Sequence, residues 1–83
     1  MTQPAMIPQA VRSADLMGKV LRRWRKRREW TQRQLGEEAG VRQETVSRVE
    51  NGSTGTELDT VLRLCAALGI EMIIAAKPNR TDL

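Results

Sequence analysis

Between Thr31 and Gly52 the chain carries two helix stops close together, so both helices in this stretch must be short. The Thr31 hydroxyl can accept from an amide of the turn that follows, and Gln34 three places on completes a capping box. Leu35 and Ala39 form the buried side of this helix, and Gly40 ends it. Only Val41 separates that stop from a further segment, Arg42 to Glu50, where Val46 and Val49 sit three apart with Thr45 beside them. Asn51 and Gly52, both tolerant of positive φ, close it. Two short helices joined by a glycine-containing turn follow from this punctuation.

The flanks supply the rest of one small domain. A chain of 83 residues hides only about 60% of its unfolded surface on folding, too little for a large enzyme cleft. With no Phe or Tyr, and only Trp24 and Trp30 as aromatics, its core must be aliphatic and small helical elements are favoured. Ser13 caps a first helix running to about Arg28, with Leu16, Met17, Val20, Leu21 and Trp24 on one stripe. Thr56 with Asp59 marks the cap of a fourth helix, whose apolar side is Leu58, Val61, Leu62, Cys65 and Leu68 and whose stop is Gly69. Ile70, Met72 and Ile74 then alternate, with Ile73 beside them, as in a strand that Lys77-Pro78 terminates. The expected division is a loose arm over 1–12, helices over 13–69, a strand over 70–77 and a frayed tail over 78–83.

The formal charge is +4, but its distribution says more. Residues 19–33 hold eight Lys or Arg against Glu29 alone, a local +7, and leave the remainder at −3. A polyanion such as nucleic acid is the partner this asymmetry suggests. A lone Cys65 excludes an internal disulfide and a cysteine metal cluster. The absence of His removes the usual zinc ligands and general base, so neither cofactor nor metal is expected. No nucleophile and base stand in a recognisable arrangement, which makes an enzyme the least favoured reading. No basic residue precedes Arg12 and no apolar run reaches membrane-span length, so the expected location is the cytoplasm.

The second of the two short helices is led by long polar side chains, which fits a helix-turn-helix whose second helix enters the major groove. Gln43 can present its amide bidentately to adenine, Arg42 can reach guanine or a phosphate, and Glu44 can accept from cytosine N4. Ser47 and Arg48 lie one turn later, on the same faces as Gln43 and Glu44 respectively. Trp24 and Trp30 read as core residues rather than base-stacking platforms, and Cys65 as a small buried filler. The Gly52 to Thr56 loop resembles a phosphate cradle but lacks the following Gly-Lys, so it reads as a connector.

The stretch Trp30 to Gly52, with Thr31-Gln32, Leu35, Gly40, Ser47 and Glu50-Asn51-Gly52 in place, resembles the Xre or Cro-type helix-turn-helix. Its extension through a fourth helix, Ala66-Ala67-Leu68-Gly69-Ile70 and a terminal strand is similar to HipB-type antitoxins. The resemblance implies a mainly α, lambda-repressor-like bundle of about four helices, with one C-terminal β-strand pairing across a homodimer through Ile70, Met72, Ile73 and Ile74. It implies a repressor that binds a palindromic operator on double-stranded DNA in its own promoter and holds a HipA-type serine/threonine kinase toxin. Gln32 would contact phosphate, Arg42, Gln43, Glu44 and Ser47 would meet base edges, and Thr45 and Asn51 would touch the DNA backbone. Arg25 would pair with Glu50 and tie the first helix to the third.

Three departures carry physical consequences. Glu29 stands where the family usually has a glycine, and a non-glycine at positive φ costs about 1 kcal/mol, so the first helix is expected to run on or end differently. Gly36 replaces the usual Ala and weakens its helix by up to about 1 kcal/mol. Arg42 occupies a position where Ser or Thr commonly caps, so the third helix would rely on its groove for order. The lone strand could instead pair with the N-terminal arm near Met6-Ile7, and the whole chain could be a stand-alone Xre or phage-like regulator or a protein-interaction module. A kinase-like reading frame downstream favours the antitoxin; a promoter fragment that shows no salt-dependent shift favours the interaction module.

Overall fold

Ser13 starts the first helix as its spacing predicts: its Oγ accepts from the Leu16 amide at 3.0 Å, and α1 runs over Ala14–Arg27. The computed structural model describes residues 8–77, so the expectations for Met6-Ile7 and for the tail from 78 onward lie outside the described residues. Arg28 closes α1 in αR conformation, and the next residue, Glu29, takes φ 57°. The helix therefore ends where the glycine of the usual pattern would end it, and does not run on. The chain keeps the left-handed turn and bears the crowding of the Glu29 Cβ against its own carbonyl.

The second helix, α2, spans Gln32–Ala39 with both halves of its capping box formed: Thr31 Oγ1 accepts from the Gln34 amide at 3.0 Å, and Gln34 Oε1 accepts from the Thr31 amide at 2.8 Å. Gly40 stops it with φ 69°. The third helix, α3, spans Gln43–Glu50, one residue shorter than expected, because Arg42 is extended and serves as an N-cap without any side-chain hydrogen bond. Gly36 has a reason that helix propensity hides. A Cβ there would lie 2.4 Å from the Val41 carbonyl oxygen, so the tight turn into α3 requires the missing side chain.

The fourth helix, α4, spans Leu58–Leu68 and departs from expectation twice. Its N-cap is Glu57 rather than Thr56, with no side-chain cap, and Asp59 pairs with Arg63 one turn on at 2.9 Å. Its buried residues are Leu64, Cys65 and Leu68, with Val61 half-buried, whereas Leu58 and Leu62 are 63% and 45% exposed. Positions 61, 64, 65 and 68 form one ridge at helical spacing; Leu62 lies roughly 100° around the helix from Val61 and misses the groove between α1 and α2.

The core is Leu21, Leu35, Val46, Val49, Leu64, Cys65 and Leu68, with at least one side chain from every helix. Trp24 and Trp30 pack against it but remain half-buried, and guanidinium groups cover their rings: Arg27 over Trp24 at 4.7 Å and Arg28 over Trp30 at 5.1 Å. The backbones of α1 and α3 approach closely where they cross: a Cβ on Gly18 would sit 2.3 Å from the Val49 carbonyl oxygen.

Beyond Gly69 only Ile70 packs on the core; residues 71–77 are exposed, with Met72, Ile73 and Ile74 at 46%, 61% and 101%. Among the described residues there is no strand, so the fold of the chain is the four-helix, mainly α part of the expected architecture. A ladder needs a second strand to accept and donate, and residues 70–77 find none within their own described chain.

Candidate nucleic-acid interface

The short turn at Gly40–Arg42 sets α3 at the surface with its apolar residues, Val46 and Val49, turned into the core. Apart from Glu50, its polar residues then point outward, because a helix of this length has one buried stripe. Arg42, Gln43, Glu44 and Arg48 are exposed, and Thr45 and Ser47 are half-buried, so the first two turns present a contiguous polar surface. Arg42 and Gln43 also line a shallow open groove with Arg33, Glu37 and Val41, where the end of α2 meets the start of α3. Thr45 Oγ1 accepts from Arg48 Nη2 at 3.3 Å. Asn51 is exposed at the far end and donates its backbone N–H to the Ser47 carbonyl at 3.0 Å.

A buried ionic clamp fixes the angle of this helix. Arg25 Nε and Nη2 donate to the two carboxylate oxygens of Glu50 at 2.7 and 2.9 Å, and the two side chains are only 9% and 2% exposed. The third guanidinium nitrogen, Nη1, donates to the Trp30 carbonyl at 2.7 Å, in the turn between α1 and α2. Gln32 Nε2 donates to Glu50 Oε1 at 3.1 Å. One carboxylate thereby gathers the end of α1, the start of α2 and the end of α3. Among the described residues no buried side-chain polar atom lacks a partner, as a low-dielectric ion pair requires. The pairing of Arg25 with Glu50 is the one the family resemblance implied, whereas the Gln32–Glu50 bond was not expected. It directs to the clamp a side chain whose implied partner was phosphate.

The structure divides the basic block by function. Arg25 belongs to the clamp, and Arg28 Nη2 donates to the Leu68 carbonyl at 3.1 Å, a cation at the carboxyl end of α4. Arg22, Arg23, Lys26 and Arg27 remain on the outer face of α1. Apart from Arg25, which the family resemblance pairs with Glu50, sequence reasoning treats the block as one field, since nothing local distinguishes an arginine that reaches another helix from one that does not.

A second polar groove runs between α3 and the start of α4, lined by Thr45, Arg48, Ser53, Gly55, Thr56, Glu57 and Thr60. Glu57 provides no side-chain cap, so the first amides of α4, beside this groove, have no side-chain acceptor. Hydroxyls, an arginine and free helix amides are a suitable lining for a phosphate oxygen. Its trace in the sequence is the hydroxyl-rich run from Ser53 to Thr60, the first part of which reads there as a connector. Among the described residues there is no cluster of His, Cys, Asp or Glu able to hold a metal, and no helix is long and apolar enough to cross a membrane.

Comparison with known proteins agrees with this arrangement. Antitoxin HipB of Escherichia coli K12 is 27% identical over 78 residues, covering 89% of this chain and 89% of the relative. Antitoxin HipB of Escherichia coli O6:H1 is likewise 27% identical, covering 94% of this chain and 83% of its own length. Among solved structures, a HipB–O2 20mer complex matches with TM-score 0.79 at 25% identity, covering 87% of this chain and 100% of that one. A HipA–HipB–O2–O3 complex matches with TM-score 0.78 at 26% identity, over 84% and 99%. A hypothetical transcription factor from Neisseria matches with TM-score 0.66 at 28% identity, over 83% and 79%. The helix-turn-helix family model aligns with residues 21–73, a span that takes in the clamp, both short helices, the turn between them and α4; with its capping box, αL stop and outward-facing α3 all formed, this chain belongs to the helix-turn-helix family.

Proposed function

We propose that the chain is a dimeric, sequence-specific DNA-binding repressor, the antitoxin of a HipBA-like pair that represses its own operon and neutralises a HipA-type serine/threonine kinase. The observation that carries this reading is the clamped, outward-facing α3 in a fold that superposes on HipB over nearly its whole length. In this reading α3 enters the major groove, Gln43 reads an adenine, and Arg42, Glu44, Ser47 and Arg48 meet neighbouring base edges or phosphates. Thr45 and Asn51 contact the phosphate backbone, together with the hydroxyl-lined groove at the start of α4, while Gln32 supports the reading helix through Glu50. The exposed Met72, Ile73 and Ile74 support a homodimer in which residues 70–77 of two chains pair antiparallel, with Ile70 anchoring each ribbon to its own core. The same pairing sets two copies of α3 against a palindromic site. A HipA-type kinase as partner rests on the HipA–HipB–O2–O3 complex matched above.

The test is a mobility-shift titration of the chain on the DNA upstream of its own reading frame. Binding should weaken linearly in log salt, by about 0.9 of a log unit per phosphate neutralised. Gln43→Ala should cost about 1–3 kcal/mol and relax preference at one base pair. A salt-independent or absent shift would sink the DNA-binding reading. Light scattering that finds only monomers at high concentration, or an Ile73→Asp variant that dimerises as well as the parent, would remove the ribbon. Failure of a co-expressed neighbouring kinase to co-purify would leave a stand-alone regulator.

A further inference from the structure

We propose that the outer face of α1 is a second DNA-binding surface, which grips the phosphate backbone of a duplex other than the one α3 reads. It goes beyond the repressor reading and does not depend on operator recognition. The helix turns Gly18, Val20, Leu21 and Arg25 inward. Helical spacing therefore collects Lys19, Arg22, Arg23, Lys26 and Arg27 on the opposite side, all exposed. Lys19 is paired with Asp15 at 3.1 Å. The other four have no carboxylate within ion-pair distance among the described residues, and Arg23 donates at 3.1 Å to the neutral Gln9 amide. Like charges one turn apart repel and destabilise a helix by a few tenths of a kcal/mol per pair, so an uncompensated row of them calls for an anionic partner.

Geometry separates this row from the reading surface. Both α1 and α3 turn their apolar residues toward one core, and the backbone of α1 crosses the last turn of α3 at Gly18. Their polar faces consequently look outward from different sides of that core. The reading residues Gln43 and Glu44 lie on the first turn of α3, whereas α1 crosses its last.

Charge and composition select the occupant. From Lys19 to Arg27 the row extends about 12 Å at 1.5 Å per residue. That matches several phosphates of one strand at about 3.4 Å of rise each. The row holds no apolar anchor: Trp24 is half-buried and roofed by Arg27. Protein interfaces draw their energy from buried aromatic and aliphatic anchors, which this face lacks, whereas DNA interfaces are polar and strongly positive. The phosphate backbone of duplex DNA fits this face better than an acidic protein surface does.

A bridging assay tests the proposal. The promoter duplex is fixed to beads, loaded with the full chain, washed, and offered a labelled duplex of mixed sequence. The parent should retain the labelled duplex. An Arg22→Ala/Arg23→Ala/Lys26→Ala variant should retain about tenfold less, while holding the first duplex within about twofold. An Arg22→Gln/Arg23→Gln/Lys26→Gln variant, with melting followed by circular dichroism, guards against misfolding and should give the same loss. Undiminished bridging by folded variants would overturn the proposal, as would equal loss of both duplexes, which would put the cations on the duplex that α3 reads. A parent that captures polyglutamate but no second duplex would assign the face to an acidic protein. If the promoter duplex is not bound at all, the repressor reading fails by itself; mixed-sequence duplex fixed directly to the beads then asks whether the three cations hold DNA without it.

Discussion

Truncating Glu50 to alanine is the most incisive perturbation of the structure, because this carboxylate accepts two hydrogen bonds from Arg25 and one from Gln32. Its removal leaves a guanidinium in a residue only 8% exposed, with the Trp30 carbonyl as its remaining partner. Removing one member of a buried pair costs about 3–5 kcal/mol, most of it the burden of the orphaned charge. A chain of this length has a total stability of about 4–12 kcal/mol, so Glu50→Ala should lower the melting temperature by about 12 °C or more. The paired apolar replacement Arg25→Met/Glu50→Leu removes both charges and leaves the Trp30 carbonyl without its donor and the half-buried Gln32 amide without its acceptor, a loss of about 1–3 kcal/mol for the buried carbonyl and less for an amide that can turn to water. The double variant should therefore be more stable than Glu50→Ala while still binding promoter DNA more weakly, since α3 loses its tether. Urea unfolding followed by helical circular dichroism reads the first quantity and a mobility shift the second. A Glu50→Ala penalty below about 1 kcal/mol, or a double variant less stable than the single, would refute the assignment of the pair as a buried, mutually dependent clamp.

Other positions make separate claims. Glu29→Gly should stabilise the chain by about 1 kcal/mol by relieving a non-glycine residue at φ 57°, visible as a rise of about 4–8 °C in melting temperature; no rise would mean the turn carries no strain. Gly18→Ala should destabilise despite the better helix propensity of alanine, because a Cβ 2.3 Å from the Val49 carbonyl oxygen forces α1 off α3 at about 1–3 kcal/mol; a gain in urea midpoint would contradict the close crossing. Burial pushes the Cys65 thiol above its ordinary 9.0, so the folded state prefers the protonated form and alkylation should be slow until urea opens the core. The matching contribution to stability is whole below pH 9 and fades as pH rises beyond it; urea midpoints that do not fall on the alkaline side in the parent relative to Cys65→Ala would disprove it.

Much of the fold was legible because its signals are local. Ser13, Thr31 with Gln34, and Gly40 act through hydrogen bonds or dihedral angles within a few residues, and each starts or stops a helix where the spacing indicates. The polar lead of α3 and the pairing of Arg25 with Glu50 were equally visible, the first from its side chains and the second from the family resemblance. The face of α4 was misread at Leu58 and Leu62, because apolarity alone says that a residue is suited to burial, and only the neighbouring helices decide which ridge is covered.

The sequence by itself determined how many helices there are and, to within a residue or so, where they begin and end, that the core is aliphatic, that α3 is headed by long polar side chains and that cations concentrate around α1. Tertiary structure alone decided that Gln32 joins the clamp, that Gly36 makes room for the Val41 carbonyl, and that Arg28 reaches the end of α4 while its neighbours stay outside. The division follows range. Capping and helix stopping are settled between residues a turn apart, whereas a side chain's partner across 18 or 40 positions depends on where packing has already brought the backbone.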